Sequence, residues 1–266
     1  MNREIVQNIN SLPALSKSIV KIQKIYNDPN SSVSDLVKAI GDDPMIVANL
    51  FKEVNSPIYN FDKKIDTVAQ AVAMLGMSMT RSIVFANSLK QLLNIDMEPY
   101  AISSDEFADI SSKQARLIYN WYKQIDKVKA DKLFLSALLQ ETGKILIASQ
   151  IIKNNELLPF KSEIETSYNI ALVEKSFVQT TTAEVTAEIF KHWGFDQELI
   201  QMIRYSDESA GAPQDIKEFS TALNIVKTVI AVNHPFSETA INYGLKKALD
   251  AGYEYEILED VIDDML

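Results

Sequence analysis

The sequence has no cysteine, two histidines, seven glycines and eight prolines among its 266 residues. Without cysteine there can be no disulfide, no thiolate nucleophile and no thiolate zinc site. That absence fits a reducing compartment, and a cytoplasmic location is expected. The histidines, His192 and His234, stand 42 positions apart with no aspartate cluster beside either. No His-carboxylate metal motif results, and no metal or cofactor is expected. A Gly-rich phosphate loop, a G-x-S-x-G elbow and a Walker pattern are also missing. The N-terminal residues show neither the apolar core nor the small-residue cleavage site of a secretory signal. No run approaches the ~20 apolar residues of a membrane span, so no membrane insertion is expected. An excess of basic charge is lacking too. The net charge is −10, with ten basic and ten acidic residues in 1–100 against 16 and 26 in 101–266. Nothing there supplies the basic patch that neutralises phosphates, and nucleic acid is not an expected partner.

What is present is apolar and periodic. Hydrophobic residues make up 47% of the chain, enough for a sizeable core. Their spacing is helical and no alternating strand appears, which predicts an all-α fold. Three short helices are expected over residues 14–56. Ser32 caps the second, with Asp35 as capping-box partner. Asp43-Pro44 opens the third, where proline's missing N–H costs nothing, and Asn55-Ser56-Pro57 closes it. A plain bundle is the reading preferred to a DNA-binding helix–turn–helix, given the neutral charge. A loop, Ile58–Asp66, carries Lys63-Lys64. Gly76 divides Thr67–Leu75 from Met77–Leu93. Asn94–Ser104 reads as a hinge, dividing the chain into an N-terminal helical part, 1–100, and a second helical part, 101–266.

The second part is organised around Leu133–Ile147, read as one helix apolar on nearly every side. Gln140, Glu141, Thr142, Gly143 and Lys144 lie in its middle, where polar groups cost free energy unless satisfied. Glu141 is the sharpest candidate for chemistry. Lys144, three residues on, is its expected structural partner. Lys127–Lys132 reads as a polar link into this helix, and Glu184 and Glu188 read as a solvated pair. The tail from Tyr253 is amphipathic and is expected to dock on the chain's own core.

The stretches LPALSKSIVKIQKIYNDPNSSVSDLVKAIGDDPMIVANLFKEVNSPIY and TVAQAVAMLGMSMTRSIVFA resemble the opening of HDOD domains, output-type relatives of the HD phosphohydrolases. Asp43, Pro44, Asn55, Ser56 and Gly76 stand at family positions, and LLQETGK and AEVTAEIFKHWGFDQELIQMIRYSD resemble its later segments. The resemblance spans roughly residues 12–232. It implies an HD-like multi-helix architecture, with an N-terminal helical subdomain and a degenerate HD-like one. It places Gln140-Glu141 at the His-Asp pair that binds metal in the parent enzymes. It places Ile110, Thr182, Ser206-Asp207 and Lys227 at or near the other metal positions. Those residues cannot hold a hard divalent ion that activates water. The resemblance therefore implies a non-catalytic domain of bacterial signal transduction that binds a protein partner. A second expectation is a sensor of a nucleotide or cyclic dinucleotide, with Gln140, Glu141, Lys144, Arg204 and Lys227 lining the remnant cleft. A residual metal-dependent phosphohydrolase ranks below both.

Overall fold

The computed structural model describes residues 2–28, 30–57, 59, 61, 63–93 and 96–266. Pro29 and the first residues of the predicted loop and hinge, Ile58 and Asn94, lie outside the described residues. All regular structure among the described residues is helical except one isolated antiparallel bridge, Ile230–Pro235. The chain divides into two units, one of Pro13–Asn94 and one of Met1–Leu12 with Ile95–Leu266.

The unit Pro13–Asn94 holds α2 (Lys17–Asn27), α3 (Val33–Gly41), α4 (Pro44–Val54) and α5 (Val68–Leu92). Local chemistry sets their ends. Ser32 and Asp35 form the expected capping box on α3. The Asp43 carboxylate caps α4 by accepting from the Met45 and Ile46 amides. Asn55 ends α4 and also ties that end to Ile65. Its amide donates to the carbonyls of Phe51 and Ile65 at 2.8 Å, and its carbonyl accepts from the Ile65 N–H at 2.8 Å. Helix α5 is broken at Gly76, whose φ of 83° few side chains tolerate. The Thr80 hydroxyl returns to the Gly76 carbonyl at 2.8 Å. Residues Val68–Leu89 are long and apolar enough to cross a membrane by length and composition, a test that core helices also meet. Here α5 packs on α2, α3 and α4 as the core helix of its unit.

The other unit begins with α1 (Arg3–Asn10), then resumes with α6 (Ser104–Tyr122), α7 (Lys127–Leu139) and α8 (Gly143–Lys153). The first helix, grouped by sequence order with residues 1–100, instead packs on α8 and on α11 (Thr182–His192). The predicted helix Leu133–Ile147 is two helices. A turn at Gln140–Thr142 separates α7 from α8, so the polar run lies at a corner rather than inside a cylinder. The segment Lys127–Lys132 is no link: it forms the first turns of α7, capped by Asp126. The chain continues through α9 (Leu157–Thr166), α10 (Ile170–Val178), α11, α12 (Gln197–Arg204), α13 (Gln214–Val229), α14 (Glu238–Asp250) and α15 (Tyr255–Asp263). The tail docks on its own core, with Leu258, Val261 and Ile262 buried and α15 packed on α14 and α6. The Tyr253 and Tyr122 hydroxyls meet at 2.9 Å beside Trp121.

Candidate functional site

The corner between α7 and α8 sits against the start of α11. The Gly143 N–H donates to the Thr186 hydroxyl at 2.8 Å, and that hydroxyl lies within hydrogen-bond reach of the Gln140 and Thr182 carbonyls. A side chain at 143 would not fit, because a Cβ there would meet the Thr182 carbonyl oxygen at 2.5 Å. This close approach places Glu141 and Lys144 beside α10, α11 and α13.

Lys144 is fully buried and has two carboxylate partners. Its ammonium lies 3.0 Å from Glu141 and 3.0 Å from Glu174 on α10, and donates to the Thr182 hydroxyl at 3.0 Å. The Tyr100 ring faces it at 5.1 Å. Glu174, also buried, accepts from the Thr182 N–H and hydroxyl at 2.6 Å each and from the Tyr100 hydroxyl at 2.9 Å. Glu141 accepts from the Gln114 amide of α6 at 3.1 Å. A second pair, Lys227 of α13 with Asp207, lies beside the first, and the other Asp207 oxygen accepts from the Ala183 N–H at 3.0 Å.

Burial opposes charge on each of these groups, and the partners outweigh it. Burial raises the Glu141 carboxyl, yet Lys144 and Lys227 bring it below the usual carboxylate range. Burial likewise raises Asp207, and Lys227 brings it down. Burial lowers Lys144, while Glu141 and Glu174 raise it above the ordinary lysine value. Lys227 is raised in the same way, chiefly by Asp207. All four stay charged through the neutral range.

These pairs form the floor of a cleft of about 540 Å³ bounded by α10, α13 and α14. The cleft is open, and Ile110 is not among its lining residues. Of the five residues expected to line it, Glu141, Lys144 and Lys227 do. Gln140 does not: it points inward and donates to the Gln114 carbonyl at 2.8 Å. Arg204 does not either. The apolar residues of α12 turn Leu199, Ile200, Met202 and Ile203 into the core, which leaves Arg204 on the flank facing α11. There it pairs with Glu188 in a separate hollow lined by Val6, Ile9 and His192. Glu188 is thus an ion-pair partner, and Glu184 is the capping-box residue of α11 rather than half of a solvated pair.

Two residues essential to the floor carry a sequence signal that the reading above does not use. Glu174 is spaced four from both Ile170 and Val178, on the apolar stripe of α10. Gln114 is spaced seven from both Phe107 and Trp121, on the buried face of α6. A polar residue on an apolar stripe needs a buried partner.

The match to a family model decides the relationship: the HDOD domain model fits residues 12–209. The chain belongs to the HDOD family. Among solved structures, a candidate phosphohydrolase from Shewanella amazonensis SB2B superposes with a TM-score of 0.78 at 18% identity, covering 99% of this chain and 94% of that one. A candidate signal transduction protein from Marinobacter aquaeolei VT8 gives 0.74 at 19% identity, covering 97% of this chain and 58% of that one. At such identities the likeness shows a shared HDOD/HD-like fold. An uncharacterized protein of Treponema pallidum (strain Nichols) is 22% identical over 220 residues, 80% of this chain. The HDOD chain described here spans 41% of that relative's length.

The HD-type metal implied by the parent enzymes can be tested against the floor. Among the described residues no group of three or more histidine, aspartate or glutamate side chains is placed to hold a metal ion. The acids that are present, Glu141, Glu174 and Asp207, already hold two ammonium groups. Those ammoniums would repel a dication entering among them. The residues of this HDOD floor do not fit the metal.

Proposed function

We propose that this HDOD chain is a non-catalytic, cytoplasmic regulatory domain of bacterial signal transduction that acts by binding a protein partner. One observation carries the reading: Lys144 and Lys227 supply from within the positive charge that a hydrolytic metal would bring, and both are locked to carboxylates. A lysine ammonium cannot generate hydroxide from bound water as a metal ion does. The relative from Marinobacter aquaeolei VT8 named for signal transduction supports the setting.

The loop at Lys63-Lys64 is the proposed contact. Both lysines are exposed, and the next residue, Ile65, is bonded to the Asn55 side chain. Two neighbouring exposed cations are complementary to an acidic partner surface.

The test has two arms. Hydrolysis of nucleotide substrates with added Mn²⁺ stays at background, the same in Glu141→Gln as in the parent chain. Turnover that vanishes in Glu141→Gln would restore the phosphohydrolase reading. In the second arm, a partner captured from the host is purified and titrated. The double change Lys63→Glu, Lys64→Glu weakens its binding while leaving the thermal midpoint unchanged. Full affinity in that variant rejects the loop as the contact.

A further inference from the structure

Helix α1 packs on α8 and α11, yet the chain joins it to them only by way of Pro13–Asn94. Its buried residues are Ile5 and Ile9, four apart on one face. The Glu4 carboxylate, directly before Ile5, accepts from the Gln150 amide of α8 and lies 3.4 Å from the Lys153 ammonium at the surface. A helix of eight residues is marginal in water by itself. Two aliphatic anchors and one exposed ion pair are a small hold beside that of α6, α7 and α13, which pack on one another. Elements with few buried apolar contacts are the ones that open locally. Release of α1 leaves the chain from α6 to α15 continuous, and no residue of the cleft floor is on α1.

Nor does α1 fill its seat. The hollow beside it, of about 620 Å³, is bounded by Val6 and Ile9 on one side and by Glu188, His192 and Arg204 on the other. Val6 stays 40% exposed at its edge. On the α8 side of the seat, Gln150 is fully buried. Its Nε2 donates to Glu4 and, at 2.8 Å, to the Asn154 side-chain oxygen. Its Oε1 has no hydrogen-bond partner among the described residues. A buried acceptor without a donor is costly, and an unfilled hollow forfeits packing contacts. The helix in place thus leaves a space and an acceptor unused.

Grooves that bind helices read apolar residues at i and i+4. The pattern that this groove reads is shown by α1 itself: an acid, an aliphatic residue directly after it, and a second aliphatic residue four further on. The α1 of a second copy would bring the same Val6 and leave the same space, so exchange between copies gains nothing. A different helix, with a larger apolar side chain at the Val6 position and a donor reaching Gln150, gains what α1 lacks.

We propose that the seat of α1 on α8 and α11 is a docking site for a short amphipathic helix of a partner protein, and that α1 is its exchangeable internal occupant. The partner's helix carries the α1 pattern with a larger apolar residue in place of Val6. Tethered to its own seat, α1 competes at high effective concentration, so it restrains docking until it is released. The seat is a second contact for the protein-binding reading and rests on it. Its test uses neither the Lys63-Lys64 loop nor catalysis, so either can fail alone.

The test uses the full chain carrying Ile5→Asp and Ile9→Asp, which releases α1, and the fluorescence anisotropy of a labelled peptide of residues 2–12. The variant binds the peptide, and the parent, with its own α1 in place, binds it about tenfold or more weakly. The peptide with Ile9→Ala loses about thirtyfold or more in affinity for the variant, the loss expected for a truncated core isoleucine. The peptide with Val6→Leu binds more tightly than the unaltered one. In the parent, the α1 amides exchange with solvent about tenfold or more faster than those of α7 and α13. Absence of peptide binding to the variant, or equal binding to variant and parent, overturns the proposal. So does a variant that loses the far-ultraviolet circular dichroism of the whole chain rather than of one short helix, or a parent whose α1 amides exchange as slowly as those of α7: either makes α1 integral to the fold. A parent that dimerises by light scattering, with the dimer lost in the variant, gives the seat to a second copy and overturns its assignment to a partner.

Discussion

The floor and the mouth of the cleft each present a lysine, and the two are held in opposite ways. On the floor, Lys144 has 2% side-chain exposure and touches Glu141 and Glu174, which are 3% and 0% exposed. At the mouth, Lys247 of α14 has only the Asn224 amide and the Thr228 hydroxyl as partners among the described residues. A buried lysine without carboxylates would lose its proton or unfold its surroundings. A lysine at the rim can keep its charge at modest cost on neutral partners. Burial, rather than residue type, thus separates a lysine that needs carboxylates from one that does not.

The contrast is open to attack by substitution, and the largest effect belongs to the floor. Lys144→Met strands two buried carboxylates and should cost about 3–5 kcal/mol, read as a lower denaturant midpoint at unchanged m-value. A loss below about 1 kcal/mol, the range of exposed pairs, would place the floor with the mouth. Next comes Gly143→Ala. Its Cβ would press on the Thr182 carbonyl, a backbone atom that cannot step aside, and the expected cost is about 1–3 kcal/mol.

The pH profile sharpens the comparison further. Glu141 and Asp207 titrate below their ordinary values in the folded chain. Their contribution is therefore present above the unfolded value, about 4, and is lost as pH falls through the folded one. Lys144 and Lys227 are raised. Their contribution is present below about 10.4 and is lost as pH rises through the folded value. Urea midpoints followed across pH should fall at both extremes, and Asp207→Asn should flatten part of the acid limb. A variant whose acid limb matches the parent's would remove Asp207 from the account. The smallest effect belongs to the mouth: Lys247→Gln should change stability by no more than about 0.5 kcal/mol, as at ordinary surface sites.

Much of the fold can be read from residues whose chemistry is local. Ser32 with Asp35, Asp43 before Pro44, and Gly76 each act on neighbours a few positions away, so sequence alone places them. The polar run Gln140–Lys144 lies where α7 and α8 meet, and periodicity alone carries one helix through it. Four polar residues and a glycine in an apolar stretch signal a corner as readily as a site, and only the packing of Thr186 on Gly143 distinguishes the two. Glu141 with Lys144 was legible because the pair is three residues apart on one chain segment. Glu174, 30 positions from Lys144, was not, because its partner is set by how α10 meets α8. The charge of Arg204 and its place in the later segments point to the cleft. Its position is instead decided by which face of α12 the apolar residues take into the core.

The first helix has a consequence for the order in which the chain is made. Ile5 and Ile9 of α1 are buried, and the helices that cover them, α8 and α11, lie more than 130 residues further along. A ribosome therefore releases α1 long before anything exists for it to pack against, and the whole of Pro13–Asn94 is synthesised in the interval. In that intervening unit α2, α3, α4 and α5 pack on one another, so it can begin to fold while synthesis continues. The larger unit must wait for its later helices and then close a loop around a folded insert. The long separation carries an entropic cost that grows only slowly with loop length, so the arrangement delays assembly more than it weakens it.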